Sequence, residues 1–276
     1  MEFTAGSFKL KTYQSSMLPS DRLEALEKEV DSKIPDLVFG DSYASFSSGE
    51  FVYSFNAADA LRLCNFEEQR RRIYTQGELK GDHINVLPVS VKVAHHQHWE
   101  NKTVPKHGAF HEPGTEHVAP EVVNTKSDWT YCTPYKGSVQ GATLLPSHQS
   151  IPVHRLGQDN PILWASEVIF YEDELDDNGQ SKCHLRVRAM EDCWYALLRS
   201  YVRVDHVMVR VLDTRIFHSY GEREVLREFQ HREATYEELT KAGFVFSPQW
   251  AIDPRQSDMV FEYLNLQASF KDVISF

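Results

Sequence analysis

The sequence predicts an α+β fold in which a single domain is built on antiparallel β-sheets with peripheral helices. Apolar and polar residues alternate at residues 51–55 and 183–188, as in strands that bury one face. Within residues 202–211 the apolar phase reverses across Asp205-His206, as it does where two antiparallel strands meet in a tight hairpin. Strands joined in this way, with short helices between them, indicate one domain that spans residues 1–276.

The N-terminal part divides into strand and helix patterns. Residues 8–13 alternate as a strand, and residues 20–34 carry apolar side chains at helical spacing. Residues 36–56 are typical of strands interrupted by glycines. Residues 57–64 have the composition of a short helix, for which Asn56 is a suitable N-cap.

The rest of the chain has an irregular middle and a regular C-terminal part. Residues 66–127 are polar, rich in histidine and interrupted by prolines, which predicts a long irregular insertion. Residues 223–229 and 235–242 are compatible with helices or with the ends of strands. Residues 259–270 predict a C-terminal helix.

Composition and charge narrow the classes of function. The 276 residues are 41% hydrophobic and 25% charged, which is ordinary for a globular protein. The formal net charge of -11 disfavours nucleic acid and anionic membranes as partners. No signal peptide or transmembrane segment is evident, and the 4 scattered cysteines suit reduced thiols in a cytoplasmic or nuclear protein. We expect a monomer without a cofactor.

Several short motifs occur together in an informative order and spacing. They are Phe39-Gly40-Asp41, residues 55–62, Asp128-Trp129-Thr130-Tyr131, residues 171–175 and Asp213-Thr214-Arg215. Read together, they resemble the TOR signalling pathway regulator-like family over residues 36–64 and 128–233. The histidine-rich insertion is longer than the family usually shows.

The resemblance implies a non-catalytic regulator with a compact α+β fold and no cofactor. It implies direct binding to the catalytic subunits of type 2A, 4 and 6 serine/threonine protein phosphatases, including their C-terminal tail. It also implies a helical phosphatase adaptor protein as a partner and a place in TOR and stress signalling. By motif, Asp59 and Asp213 occupy acidic positions associated with partner binding in the family, and Ile151 matches an apolar one.

A phosphatase tail is an extended peptide that ends in a carboxylate, so its capture requires apolar pockets and hydrogen-bond donors. Arg186, Arg188 and Arg215 are suitable donors, because a planar guanidinium meets a carboxylate through two hydrogen bonds. Tyr131 and Tyr135 are candidate pocket walls.

Each of these assignments has a structural alternative. The arginines could lie on solvated strand faces and pair with neighbouring carboxylates. Asp213 could bond its own backbone in a turn, and Asp59 could offset the dipole of a short helix. The acidic run 172–177 could face a phosphatase or form a solvated turn. The sequence leaves these alternatives open.

A metal-binding enzyme is the alternative function. Residues 95–117 combine histidines with glutamates, namely His95, His96, His98, His107, His111, His117, Glu112 and Glu116. Such side chains can bind zinc, iron or manganese where strands position them. No HExxH or CxxC motif accompanies them, and the sequence contains no nucleotide-binding or GxSxG motif.

Overall fold

A computed structural model describes residues 1–30, 34–62, 132, 134–157, 160–175 and 179–276. The predicted insertion 66–127 lies outside these residues. The strands, in chain order, are β1 (Glu2–Ala5), β2 (Phe8–Tyr13), β3 (Leu37–Val38), β4 (Tyr43–Ser48), β5 (Phe51–Asn56), β6 (Ser138–Gln140), β7 (Thr143–Pro146), β8 (Trp164–Asp173), β9 (Gly179–Ala189), β10 (Cys193–Val204), β11 (Met208–Ser219), β12 (Glu224–Thr235) and β13 (Asn265–Ser275). The helices are α1 (Ser20–Val30), α2 (Ala57–Arg62), α3 (Tyr236–Lys241), α4 (Pro248–Ile252) and α5 (Gln256–Phe261), and Val153–Leu156 form a 3-10 turn.

The strands form two antiparallel sheets. The smaller sheet has the order β1-β2-β4-β5-β6, and the larger has the order β3-β8-β9-β10-β11-β12-β13-β7. Each neighbouring pair in both sheets is antiparallel. The predicted α+β class, built on antiparallel sheets with peripheral helices, is confirmed.

The main core lies between the two sheets. Phe51, Tyr53 and Phe55 of β5 are buried on the common face that their spacing predicts. Trp194 of the larger sheet packs against the smaller sheet, with its ring centroid 4.9 Å from that of Phe46. Because burial of a phenylalanine side chain contributes roughly 1.5–3 kcal/mol, this aromatic layer holds the two sheets together.

The outer face of the larger sheet is covered at one end by residues 236–264, which we call the helical cap. Its first helix, α3, begins with a capping box, in which the Glu238 N–H donates to Thr235 Oγ1 and the Thr235 N–H donates to the Glu238 carboxylate. In α4, Trp250 is buried in one apolar cluster with Tyr201 of the sheet. The cap therefore has an apolar core of its own against β10 and β11.

The prediction of a helix over residues 259–270 is wrong for most of that range. Helix α5 ends at Phe261, and the chain continues as β13, which pairs with β12 so that Phe270 lies opposite Phe229. The two rings stack with their centroids 5.0 Å apart. The partner that makes this segment a strand is distant in the sequence, and such pairing overrides local helical spacing.

The remaining helices and the hairpin agree with the predicted elements. The helices predicted at 20–34 and 57–64 are α1 and α2, and residues 235–242 contain α3. Residues 224–229 belong to β12, and Arg223 precedes it. The hairpin is confirmed by His206, whose φ of 62° is the left-handed conformation that a tight turn requires. No helix of the described part is both long and apolar enough to cross a bilayer.

Candidate partner-binding groove

Two neighbouring rows of residues cross the outer face of the larger sheet beside the helical cap. The charged row follows the cross-strand register Glu167–Arg186–Leu197–Arg215–Glu228–Lys271, from β8 to β13. The apolar row follows the register Ala165–Arg188–Tyr195–Phe217–Leu226. Because strand residues two positions apart share a face, both rows point away from the main core. We call the surface that they form the outer groove.

The outer groove has a wall on each side. Asp258 of α5 forms an ion pair with Arg186 at an N–O distance of 3.5 Å, which joins the helical cap to the charged row. On the other side Ile151 packs with Phe217 in a separate apolar cluster. The Ile151 N–H donates to the carboxylate of Glu228 at 2.8 Å, which ties this second wall to the charged row.

An apolar pocket of ≈ 340 Å³ adjoins Arg188 at one end of the outer groove. Its walls include Leu156, Pro161, Ile162, Met190 and Tyr195. Burial raises the pKa of Tyr195 to about 12, so its hydroxyl stays protonated at neutral pH. A pocket of this size is large enough for one apolar side chain of a ligand.

The three predicted arginines of the outer groove differ in how far their charges are already paired. Arg186 pairs with Glu167 and with Asp258. The guanidinium of Arg215 lies 3.3 Å from the carboxylate of Asp213. Arg188 is exposed, and in the part of the chain that the structure describes its guanidinium has no ion pair or hydrogen bond. It is therefore available to a carboxylate of a ligand.

Asp213 lies beside the charged row but does not reach solvent. Its carboxylate accepts hydrogen bonds from Arg199 at 2.7 and 2.8 Å, and the residue is 0% exposed. It also lies inside β11 rather than in a turn. Arg199 pairs in addition with Asp258 of α5. Asp213 therefore connects the arginines of the sheet to the helical cap, and a direct contact of its carboxylate with a partner stays a prediction.

Comparison of the sequence with known proteins identifies its family. A model described as the TIP41-like family matches residues 37–240, which include both rows of the outer groove except Lys271. The chain belongs to the TIP41-like family. The resemblance that the motifs indicated is thereby confirmed.

The most informative relatives cover most of this chain. The TIP41-like protein of Homo sapiens is 31% identical over 244 residues, which are 86% of this chain and 78% of the relative. The type 2A phosphatase activator tip41 of Schizosaccharomyces pombe is 28% identical over 243 residues, which are 87% of this chain and 84% of the relative. The type 2A phosphatase activator TIP41 of Saccharomyces cerevisiae is 29% identical over 242 residues, which are 83% and 62% of the two chains.

Two further predicted site residues, Tyr135 and Asp59, lie on the side of the main core. Tyr135 is 4% exposed, and its hydroxyl accepts the Asn56 N–H at 3.1 Å. Asp59 caps α2 together with Asn56, since the Asp59 N–H donates to Asn56 Oδ1 at 2.8 Å and its carboxylate accepts from Asn56 Nδ2 at 2.7 Å. Their roles in partner binding stay predictions. Tyr131 lies outside the described residues.

Part of the acidic run 172–177 forms contacts within the folded chain. Glu172 pairs with Lys182 of β9 at 2.5 Å. Asp173 is buried, and its carboxylate accepts the Asp36 N–H at 3.0 Å and the Leu175 N–H at 2.6 Å. These two carboxylates hold β8 to its surroundings. Residues 176–178 lie outside the described residues.

Tyr195, Met190 and Glu228 also belong to the groove and were not predicted from the sequence. For Tyr195 a signal exists, because the hairpin at Asp205-His206 sets the register that places it opposite Phe217. For Met190 no local signal exists, because the pocket closes only when the loop with Leu156 folds over β9 and β10.

The described residues give the metal-binding alternative no support. Within the described ranges, no three His, Cys, Asp or Glu side chains come together as a metal site. The histidine-rich segment 95–117 lies outside those ranges and stays a prediction. Burial raises the pKa of the Cys183 and Cys193 thiols to about 12, which disfavours a nucleophilic thiolate at either position.

Proposed function

We propose that this chain is a non-catalytic regulator that binds the catalytic subunit of type 2A-like serine/threonine protein phosphatases. The family and the names of the two yeast relatives support the phosphatase as the partner. The observation that carries the mode of binding is the unpaired Arg188 beside the apolar pocket. An apolar pocket next to a guanidinium suits the end of a peptide chain, which offers an apolar side chain and a carboxylate together.

The electrostatics of the outer groove favour an acidic tail. Basic side chains outnumber acidic ones across the two rows, although the whole chain has a formal net charge of -11. A local positive surface on an acidic protein raises the association rate of acidic ligands and rejects basic ones. A bidentate hydrogen bond of Arg188 to a terminal carboxylate would contribute about 1.5–3 kcal/mol.

The dimensions of the groove suit a short extended segment. The charged row runs from β8 to β13. At about 4.8 Å between neighbouring strands, that distance is about 24 Å, which about seven extended residues span. We therefore propose that the last residues of the catalytic subunit lie along the charged row and end in the pocket beside Arg188.

The finer statements rest on the motif resemblance alone. We propose that binding extends to the catalytic subunits of type 4 and type 6 phosphatases and that a helical adaptor protein takes part. We also propose that the chain acts as a monomer in TOR and stress signalling, in the cytoplasm and the nucleus, where it modulates phosphatase activity or biogenesis.

The decisive experiment measures binding of the tail by fluorescence polarisation. The probe is a labelled peptide of the last ten residues of a type 2A catalytic subunit, prepared with a free and with an amidated C-terminus. We expect amidation and Arg188→Gln each to raise Kd about tenfold, which corresponds to about 1.4 kcal/mol. When the amidated peptide is measured with Arg188→Gln, Kd should rise no further than with either change alone, because both changes remove the same hydrogen bonds.

Arg22→Gln is the matched control. Arg22 is exposed on α1 and pairs with Asp41, away from the outer groove, so this variant makes the same charge change without touching the pocket. Equal affinity for the free and the amidated peptide would contradict the proposed mode of binding. Failure of the full chain to associate with any type 2A catalytic subunit would contradict the proposed function itself.

A further inference from the structure

A second cavity, of ≈ 530 Å³, lies at the other end of β9 from the apolar pocket, under the turn that joins α4 to α5. Unlike the apolar pocket, it has a polar lining. The sheet contributes Lys182, His184 and Arg203, and the helical cap contributes Asp253, Gln256 and Ser257. The Arg186–Asp258 ion pair of the outer groove lies along β9 between this cavity and the apolar pocket, so the cavity and the pocket are separate sites.

His184 is the polar group of this cavity that the fold leaves unsatisfied. It is 3% exposed, and neither of its ring nitrogens has a hydrogen-bond partner among the described residues. Its neighbours in the cavity are paired, since the Tyr201 hydroxyl and the Arg203 guanidinium both donate to Gln256 Oε1. A buried hydrogen-bonding group without a partner costs free energy of folding. A ligand in the cavity would recover that free energy.

The surroundings of His184 favour a negative group. Lys182 and Arg186 lie two residues away on the same face of β9, and Arg199 lies directly opposite on β10. Burial, followed by these three positive charges, lowers the pKa of His184 well below its usual value, so the imidazole is neutral and offers one N–H donor. On the cap side Asp258 is already engaged with Arg199. Lys182 pairs with Glu172, but its ammonium group keeps further N–H donors, so it can also donate to a carboxylate of a ligand.

The far side of the cavity has the opposite preference. Glu174, Asp205 and Asp253 line it, and all three are acidic. They repel a second carboxylate and accept hydrogen bonds from an amine or a hydroxyl group. The volume of the cavity lies in the range of roughly 300–1,000 Å³ that small-molecule sites occupy.

We infer that this cavity binds a small monocarboxylate that carries an amine or a hydroxyl group at its other end. Lys182 and the ring N–H of His184 donate to the carboxylate, and Asp205 and Asp253 accept from the far end. This site goes beyond the proposed binding of a phosphatase tail and does not depend on it.

Isothermal titration calorimetry tests the inference with 4-aminobutyrate, 4-hydroxybutyrate, succinate and butylamine as probes. We expect 4-aminobutyrate or 4-hydroxybutyrate to bind, and succinate and butylamine to bind at least tenfold more weakly. Side-chain nitrogen NMR should show the His184 resonances shift on binding. Lys182→Met should raise Kd at least tenfold, and it should leave binding of the phosphatase tail peptide unchanged.

Lys241→Met is the matched control, because Lys241 is an exposed lysine on α3 that pairs only with Glu237 among the described residues. It should leave the affinity of the small molecules unchanged. His184→Gln, which keeps a polar side chain, is a second variant that should also weaken binding. The inference is overturned if neither monocarboxylate binds at concentrations on the order of 10 mM. Succinate binding as tightly, or unchanged affinity in both cavity variants, would overturn it as well.

Discussion

The guanidinium of Arg199 and the carboxylate of Asp213 form a bidentate ion pair on the larger sheet, with N–O distances of 2.7 and 2.8 Å. The two residues lie directly opposite each other on β10 and β11, and their side chains are 4% and 0% exposed. Asp258 of α5 binds the same guanidinium. The pair therefore connects the sheet to the helical cap that forms one wall of the outer groove.

The first prediction concerns this pair. Asp213→Asn leaves the buried Arg199 without its full counter-charge, and breaking a buried ion pair in this way costs about 3–5 kcal/mol. We expect the free energy of unfolding, measured by urea denaturation and circular dichroism, to fall by an amount of that order. The double variant Arg199→Met/Asp213→Leu should recover part of the loss, because it removes both charges.

Asp41→Asn is the control for that experiment, because Asp41 is exposed and pairs with Arg22. Loss of this exposed ion pair should lower the free energy of unfolding much less. Unchanged stability of Asp213→Asn together with lost affinity for a phosphatase would support the other interpretation. Asp213 would then contact the partner directly, as the family motif suggests.

Local patterns predicted the centre of the larger sheet, because the signals there lie within a few residues of one another. The alternation at residues 183–188 and the phase reversal at Asp205-His206 define β9, β10 and β11 and their register. The strand β13 was not predicted, because its partner β12 is distant in the sequence. The burial of Asp213 was not predictable for the same reason, since the cap that covers it follows much later in the chain.

The candidate site was predictable in part. Arg186 and Arg188 were chosen as alternate residues of one strand, and the structure brings them together with Arg215 and Ile151 in the outer groove. The tyrosine Tyr135 could not be separated from the core by its sequence neighbourhood. A buried tyrosine and a pocket tyrosine have the same local pattern, and only the contact with the distant Asn56 distinguishes them.

The second prediction is a loss of stability in mild acid. Burial lowers the pKa of His184 and of His218 below the value of about 6.5 that an unfolded histidine has. Below that pH the unfolded chain binds more protons than the folded one, so the free energy of unfolding must fall as the pH falls. Each histidine contributes at most about 1.4 kcal/mol per pH unit.

Urea denaturation at pH 7.5, 6.5 and 5.5 measures this effect, with values chosen on both sides of about 6.5. In His184→Gln the free energy of unfolding should fall less steeply below pH 6.5 than it does in the parent chain. Above pH 6.5 its dependence on pH should match that of the parent chain. The same slope in this variant and in the parent would show that His184 is not neutral in the folded state.

The third prediction concerns the turn between β6 and β7. Gly141 has a φ of 68°, and a Cβ at this position would lie 2.4 Å from the carbonyl oxygen of Glu50. Gly49 has a similar φ of 59° but open space around it. Gly49→Ala should therefore cost about 1 kcal/mol for the left-handed conformation alone, and Gly141→Ala should cost at least twice as much. If the two variants lose the same free energy of unfolding, as measured by thermal and urea denaturation, the turn at Gly141 relaxes around the added methyl group.

The last prediction separates a core role from a binding role for Tyr135. Its hydroxyl accepts the Asn56 N–H at 3.1 Å, and its ring packs edge-on against Phe55 with centroids 5.7 Å apart. Tyr135→Phe keeps the ring but leaves the Asn56 N–H without its acceptor, which should cost about 1–2 kcal/mol of unfolding free energy. Affinity for the tail peptide should not change, because Tyr135 lies on the core side of the larger sheet.

Tyr195→Phe is the matched substitution at the wall of the apolar pocket. Among the described residues the Tyr195 hydroxyl has no hydrogen-bond partner, so its removal should leave the free energy of unfolding unchanged. Urea denaturation and fluorescence polarisation of the two variants, measured side by side, assign each tyrosine to the core or to the binding site. A Tyr135→Phe variant with unchanged stability and weakened tail binding would instead support the predicted role of Tyr135 as a pocket wall.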